Sequence, residues 1–276
     1  MNVRICAGCV GAMAALGLMA TPTLRAQDWP QWRGPNRDGV VAAFKEPATW
    51  PATLTKRWQV EVGAGYATPL VVGDRVFTFS RQGEEEVLIA HEAATARVLW
   101  RAAYPARFTL NSAARAHGPG PKSTPTYAAG RLFVLGMTGV VLAFDAADGR
   151  VLWQAPAPPT QPMYHTAMSP VVDGNRVIVH VGGPGDGALT AFDVATGQIR
   201  WRWNGDAPAY GSPLVATLNG TRQVITFTQE NFVGVSADTG ALLWRRPYTT
   251  PATTTSQTPI IYKDFVIESG RANGIT

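Results

Sequence analysis

Ala191-Phe-Asp-Val-Ala-Thr-Gly-Gln-Ile-Arg-Trp201 is one of four near-copies of a phrase whose reading decides the fold. The others are Ala90-His-Glu-Ala-Ala-Thr-Ala-Arg-Val-Leu-Trp100, Ala143-Phe-Asp-Ala-Ala-Asp-Gly-Arg-Val-Leu-Trp153 and Gly234-Val-Ser-Ala-Asp-Thr-Gly-Ala-Leu-Leu-Trp244. They share the template Ala-x-Asp-x-x-Thr-Gly-x-x-x-Trp, and successive Trp positions lie 53, 48 and 43 residues apart. A repeat of that length, built from short strands, predicts the blades of a β-propeller. Within the template, Asp145 and Asp193 are placed to accept hydrogen bonds from backbone donors of the turn. Gly149, Gly197 and Gly240 supply a residue that takes positive φ at little cost. Ala96 stands at that position in the first repeat, which predicts a distorted turn there. Trp100, Trp153, Trp201 and Trp244 read as structural: each buries a large ring between neighbouring blades, with an indole N–H able to reach a backbone carbonyl.

Outward from the template, each repeat opens on Ser/Thr-Pro: Thr68-Pro69, Thr124-Pro125, Ser169-Pro170, Ser212-Pro213 and Thr258-Pro259. Proline is tolerated at the first residue of a strand, so these pairs mark the start of an innermost strand. Tight turns follow at Gly73-Asp74, Ala129-Gly130, Asp173-Gly174, Asn219-Gly220 and Lys263-Asp264, each leading into a β-branched or aromatic second strand. Before the first full repeat, Thr55-Lys-Arg-Trp-Gln-Val60 reads as a lone outer strand with Trp58 in the repeat position, the kind that closes a ring. After Thr258-Pro259 a fifth repeat begins without reaching a template. The expected fold is all-β: an incomplete propeller of four-stranded blades, with four full blades, a closing strand and a partial fifth. The expected boundaries are a leader at 1–26, an N-terminal extension at 27–54 and the partial propeller at 55–276.

The leader reading rests on Arg4, on the apolar run from Val10 to Ala20 and on a small-residue cleavage site at Leu24-Arg25-Ala26. Together they predict a secretory signal peptide, an exported chain in the periplasm or outside the cell, and no transmembrane segment after its removal. Both cysteines, Cys6 and Cys9, fall in the leader. Thiolate-based zinc and iron–sulfur sites are thereby excluded from the rest of the chain. Two of the 24 basic residues also fall there, leaving 22 against 19 acidic ones, with no Lys/Arg run. That distribution gives no nucleic-acid footprint.

Candidate site residues come from the loops that precede the innermost strands. In Ala114-Arg-Ala-His-Gly-Pro-Gly-Pro-Lys122, the side chains of Arg115, His117 and Lys122 could form a cationic pocket for a carboxylate, phosphate or quinone. The same stretch also reads as a Gly/Pro surface loop with solvated charges. Tyr66, then Tyr164 or His165, then Tyr210 occupy the equivalent place in other blades, either ringing the opening of the central channel or packing its rim. Gly182-Gly-Pro-Gly-Asp-Gly187 joins two strands and lacks a following helix, so it reads as a hairpin loop and not a phosphate loop. The four His residues are scattered along the repeats and suggest no metal site.

Asp28-Trp-Pro-Gln-Trp-Arg-Gly-Pro-Asn-Arg-Asp-Gly39 resembles the opening of secreted bacterial proteins with PQQ-like (pyrroloquinoline-quinone-like) β-propellers. So do His117-Gly-Pro-Gly-Pro-Lys-Ser-Thr-Pro125, Val181-Gly-Gly-Pro-Gly-Asp-Gly187 and Tyr210-Gly-Ser-Pro213. The template resembles the tryptophan-docking motif of quinoprotein dehydrogenases and the repeats of BamB propellers. The resemblance covers essentially the whole chain after the leader and is specific for fold rather than activity. It implies one of two functions. The first is a non-catalytic binding or assembly platform without a cofactor, taking a protein or extended polymer on the Arg115/His117/Tyr210 face. The alternative is a PQQ-dependent dehydrogenase of alcohols or sugars, with PQQ and calcium. The calcium-binding Glu and Asn, the catalytic Asp and the adjacent cysteines of such enzymes match no motif in this chain.

Overall fold

The computed structural model describes residues 27–276 apart from positions 43, 264, 271 and 276. The leader expected at 1–26 therefore lies outside the described residues. Four four-stranded antiparallel meanders follow one another along the chain. The first is β1 (Leu70–Val72), β2 (Arg75–Gln82), β3 (Glu85–Glu92) and β4 (Val98–Pro105). The second is β5 (Thr126–Ala128), β6 (Arg131–Leu135), β7 (Val141–Asp145) and β8 (Val151–Ala155). The third is β9 (Val171–Asp173), β10 (Arg176–Val181), β11 (Ala188–Asp193) and β12 (Ile199–Trp203). The fourth is β13 (Leu214–Leu218), β14 (Thr221–Phe227), β15 (Asn231–Ser236) and β16 (Leu242–Pro247). A two-stranded sheet, β17 (Ile260–Tyr262) with β18 (Phe265–Ile267), begins the fifth repeat. Each hydrophobic core lies between consecutive sheets. Leu70 and Phe77 meet Leu132 and Phe144, Phe133 and Trp153 meet Val177 and Phe192, and Ile178 and Trp201 meet Val224 and Val233. Alternating residues of the second, third and fourth sheets are buried on both faces because each of these sheets packs between its neighbours.

The template works by aiming its Trp at the next blade. In all four sheets the register between third and fourth strands shifts at the same place, beside Ala90, Ala143, Ala191 and Gly234. A bulge there adds local twist and redirects the side chain that follows it. The Trp100 indole donates to the Ala146 carbonyl at 3.1 Å, Trp153 to Val194 at 3.1 Å and Trp201 to Ala237 at 2.9 Å. Each acceptor directly follows the Asp or Ser of the next template. The same ring covers that template's glycine: a Cβ on Gly149, Gly197 or Gly240 would lie 2.5, 2.6 or 2.7 Å from it, and all three hold positive φ. Trp58 docks in the same way, donating to Ala93 at 2.9 Å.

Four sequence expectations change. Residues 55–60 form no strand, so Trp58 keeps the docking role without the ladder. Ala96 does not distort its turn. It takes φ 62°, and its N–H bonds the Glu92 carbonyl at 2.8 Å, as Gly149 bonds Asp145 at 2.9 Å. The third hairpin turns on Gly174-Asn175, because Asp173 already pairs with Arg176. Trp244 folds back on its own sheet and donates to the Gln223 side chain at 2.7 Å. Gly234, opposite it, leaves the space that Ala fills in the other repeats: a Cβ there would sit 2.1 Å from the indole nitrogen.

Asp193 accepts from the Ala195 and Thr196 amides at 3.0 and 2.9 Å. Hydrogen bonding from Arg200, together with these turn donors, holds its carboxyl down to about 2. Asp145 accepts from the Ala147 amide at 2.9 Å.

The Ser/Thr of three Ser/Thr-Pro pairs has a reason that strand geometry alone does not supply. The Thr68 amide donates to Thr124 Oγ1 at 3.0 Å, the Thr124 amide to Ser169 Oγ at 3.0 Å, and the Ser169 amide to Ser212 Oγ at 2.9 Å. One hydroxyl from each of blades two, three and four thus accepts from the blade before it, in a chain across the inner ends of four sheets. Ser169→Ala strands the buried Thr124 N–H and should lower stability by about 1–3 kcal/mol, while Ser169→Thr keeps the acceptor. Urea unfolding of the two variants checks this; equal midpoints would refute the role.

Candidate functional site

The loops preceding the innermost strands converge on a cavity of about 300 Å³ lined by His117, Lys122, Tyr164, Ala167, Tyr210, Thr254 and Ser256. Blades two to five each contribute, since these residues lead into β5, β9, β13 and β17 in turn. The loops are tied by their own succession of bonds. The Tyr66 amide donates to the Pro121 carbonyl at 2.8 Å. Lys122 Nζ donates to the Tyr164 carbonyl at 2.6 Å, the Tyr164 amide to the Tyr210 hydroxyl at 3.2 Å, and the Tyr210 amide to the Thr255 carbonyl at 2.8 Å. The loop carrying the first of these residues begins in a short 3-10 helix, Ser112–His117, capped by Asn111.

The walls are aromatic. The His117 ring meets the edge of Tyr164 at 5.9 Å between centroids, and Tyr164 meets Tyr210 at 5.5 Å, both nearly perpendicular. Burial pushes the Lys122 ammonium below its ordinary pKa and raises the Tyr210 phenol. None of the lining residues is a carboxylate, so the ammonium has no anionic partner within the cavity. The chemistry is that of an anion donor set between aromatic edges. Lys122, His117, two phenols and two hydroxyls can orient a carboxylate, phosphate or sulfonate attached to an apolar body.

Of the sequence candidates, His117, Lys122 and Tyr210 come together here. Arg115 is exposed on the same 3-10 turn but does not line the cavity. Tyr66 stands at the rim through its backbone, its side chain 60% exposed. His165 is a correction, because Tyr164 and not His165 faces the cavity. His165 turns away at φ 62°, is buried against the Phe108 ring at 4.7 Å, and accepts from the Asn111 amide at 3.3 Å. Burial first, and the charge of Lys122 second, depress its pKa. Thr254 and Ser256 were missed, since residues 249–258 carry no aromatic at the repeated loop position.

A family profile described as outer membrane protein assembly factor BamB matches residues 37–161 and 84–275, and the chain belongs to that family. It is 25% identical over 210 residues to outer membrane protein assembly factor BamB of Yersinia pestis, covering 70% of this chain and 48% of that protein. It is 26% identical over 219 residues to quinohemoprotein alcohol dehydrogenase ADH-IIG of Pseudomonas putida, covering 68% of this chain and 29% of that one. The chain thus spans about half or less of the length of these relatives. Among solved structures, BamB from Moraxella catarrhalis aligns with a TM-score of 0.51 at 16% identity, over 77% of this chain and 59% of that one. Quinohemoprotein alcohol dehydrogenase from Comamonas testosteroni aligns with a TM-score of 0.52 at 19% identity, over 75% and 38%. These likenesses show the β-propeller fold. No helix among the described residues is long and apolar enough to cross a membrane.

Proposed function

We propose that this protein is an exported, non-catalytic binding platform. It takes a protein segment or extended polymer on the face where the aromatic cavity opens, anchored by an anionic group at Lys122. The observation that carries this reading is the lining itself: an uncompensated ammonium between aromatic edges, contributed by successive blades. Membership of the BamB family, whose description is that of an assembly factor, supports a role in holding other proteins. The second reading, a PQQ-dependent alcohol or sugar dehydrogenase, is supported by relatives named as quinone alcohol dehydrogenases. The cavity lining does not favour the calcium of that cofactor pair. A calcium ion takes carboxylate and carbonyl oxygens, and no lining residue offers a carboxylate.

Titration with an aromatic sulfonate, anilinonaphthalene sulfonate, tests the anchor. Lys122→Ala should weaken binding about tenfold, or about 1.4 kcal/mol, and Tyr210→Phe less, since the ring edge is kept. Equal affinities in wild type and Lys122→Ala would remove the anchor. Titration with PQQ and calcium tests the alternative. Quinone absorbance on the protein, with alcohol-dependent reduction of an artificial electron acceptor, would overturn the platform.

A further inference from the structure

The segment Asp28–Gly39 bonds to the inner ends of the first, second, third and fifth blades and shares a cavity with that of the fourth. Trp29 pairs with Val71 of β1 through both backbone bonds, at 2.7 and 3.1 Å, and the Asp28 carboxylate accepts from the Gly73 amide at 2.9 Å. The Pro30 carbonyl accepts from Tyr127 of β5 at 2.8 Å. Arg37 donates to the carbonyls of Ser169 and Pro170, at 3.3 and 2.9 Å, where the chain runs into β9. Pro35 and Asn36 line a small cavity with Leu214 and Val215 of β13. The Trp32 indole reaches Thr258 Oγ1 at 3.3 Å, before β17. The innermost strand of a blade has an unpaired edge, which a passing segment can satisfy. This segment does so at β1 and β5.

Arg37 is the pin of the arrangement. It is 5% exposed, and its acceptors are two carbonyls and the Gln31 amide oxygen at 3.1 Å, none of them charged. Its backbone lies in the left-handed region at φ 59°, a conformation that costs a non-glycine residue about 1 kcal/mol or more. Burial, then the neighbouring Arg33, lowers its guanidinium to about 9. A residue unfavourable in backbone, charge and solvation persists only where its surroundings over-determine it.

The acceptors of Arg37 tie it to the cavity. Ser169 is a link in the hydroxyl chain between Thr124 and Ser212. These three residues are the inner ends of the loops that carry Lys122, Tyr164 and Tyr210. We infer that residues 28–39 are a latch, pinned by buried Arg37, that caps the inner edges of the blades and positions the loops of the aromatic cavity through the points where those loops run into the innermost strands. The latch holds this role whatever fills the cavity.

Hydrogen exchange of the full chain tests it, because the Val71 and Tyr127 amides bond only the latch and the Tyr164 amide bonds only Tyr210. In Arg37→Met, all three should exchange about tenfold faster, while amides in the β6–β7 ladder keep their wild-type rates, as expected for one locally opening unit. Gln31→Ala, which removes one acceptor of Arg37 and a turn bond to Pro35, should give a smaller shift at the same positions. Wild-type rates at Val71 and Tyr127 would overturn the latch. So would uniform acceleration of every amide in both variants, which would make Arg37 a contributor to global stability alone. Acceleration at Val71 and Tyr127 with an unchanged Tyr164 amide would overturn the positioning of the cavity.

Discussion

Trp201→Ala should cost about 3–5 kcal/mol, the range for removing a buried aromatic ring from a core. The ring is 7% exposed, packs in the core between the third and fourth sheets, donates to Ala237 at 2.9 Å and covers Gly240. Its loss leaves a cavity and an unpaired carbonyl together. In urea the midpoint should fall with an unchanged slope, because the surface exposed on unfolding is nearly the same. Trp244→Ala should cost clearly less, since that ring is only partly buried and bonds within its own sheet. Equal losses at the two positions would mean that docking on the next blade adds nothing. Gly240→Ala probes the same joint from the other side. Its Cβ would lie 2.7 Å from the Trp201 ring, at φ +74°, so the ring or the turn must move.

The blade joint was legible because one phrase is repeated four times, and in three copies its Trp reaches the next turn. Bulge, turn glycine and Trp must stay in fixed spacing for the ring to reach the next turn, and spacing is what a sequence displays. The hydroxyl chain was only half legible. Ser/Thr-Pro marked the innermost strands, but which amide a hydroxyl serves depends on how neighbouring blades meet, and no local pattern encodes that. Residues 28–39 read as an extension because Trp29-Pro-Gln-Trp-Arg-Gly-Pro-Asn-Arg37 has neither strand nor helix periodicity. The left-handed residues Arg33 and Arg37 fold it into tight turns that only tertiary contacts explain. At the cavity, the repeated aromatic position led to Tyr210 and to the pair Tyr164/His165. Choosing between those two needed the backbone, since φ 62° at His165 decides which ring faces the opening. Ala96 shows the converse: the template's spacing was strong enough to hold alanine in a glycine conformation.

Between pH 6.5 and about 4.5 the fold should lose about 2–3 kcal/mol through one residue, His180. The imidazole is fully buried beside Trp203. Its Nε2 bonds the Asp206 carbonyl at 2.8 Å, and its Nδ1 has no partner. Burial lowers its pKa from 6.5 to about 4, with Asp206 only partly opposing. The folded chain therefore refuses a proton that the unfolded chain takes up. The stabilisation is complete above the unfolded value of 6.5 and disappears as pH falls toward the folded value of about 4. Glu86 acts in the opposite sense. Burial raises its pKa, against hydrogen bonds from Tyr104 and the Met137 amide, so its ionisation destabilises the fold as pH rises above 4.5. The wild-type slope also carries His165, whose depressed pKa adds to the acid loss, and Glu268, whose raised pKa opposes it, and substitutions separate the contributions of His180 and Glu86. His180→Gln, which keeps an N–H donor for Asp206 and cannot titrate, should reduce the acid loss by about 2–3 kcal/mol. Glu86→Gln should steepen the wild-type slope by removing the opposing ionisation. Asp193, held down to about 2 by Arg200 and the turn amides, contributes only at lower pH and does not confuse the window. Urea unfolding at pH 7 and at about pH 4.5 reads all three proteins. An unchanged slope in His180→Gln would show that the buried imidazole is not the group that makes this propeller acid-sensitive.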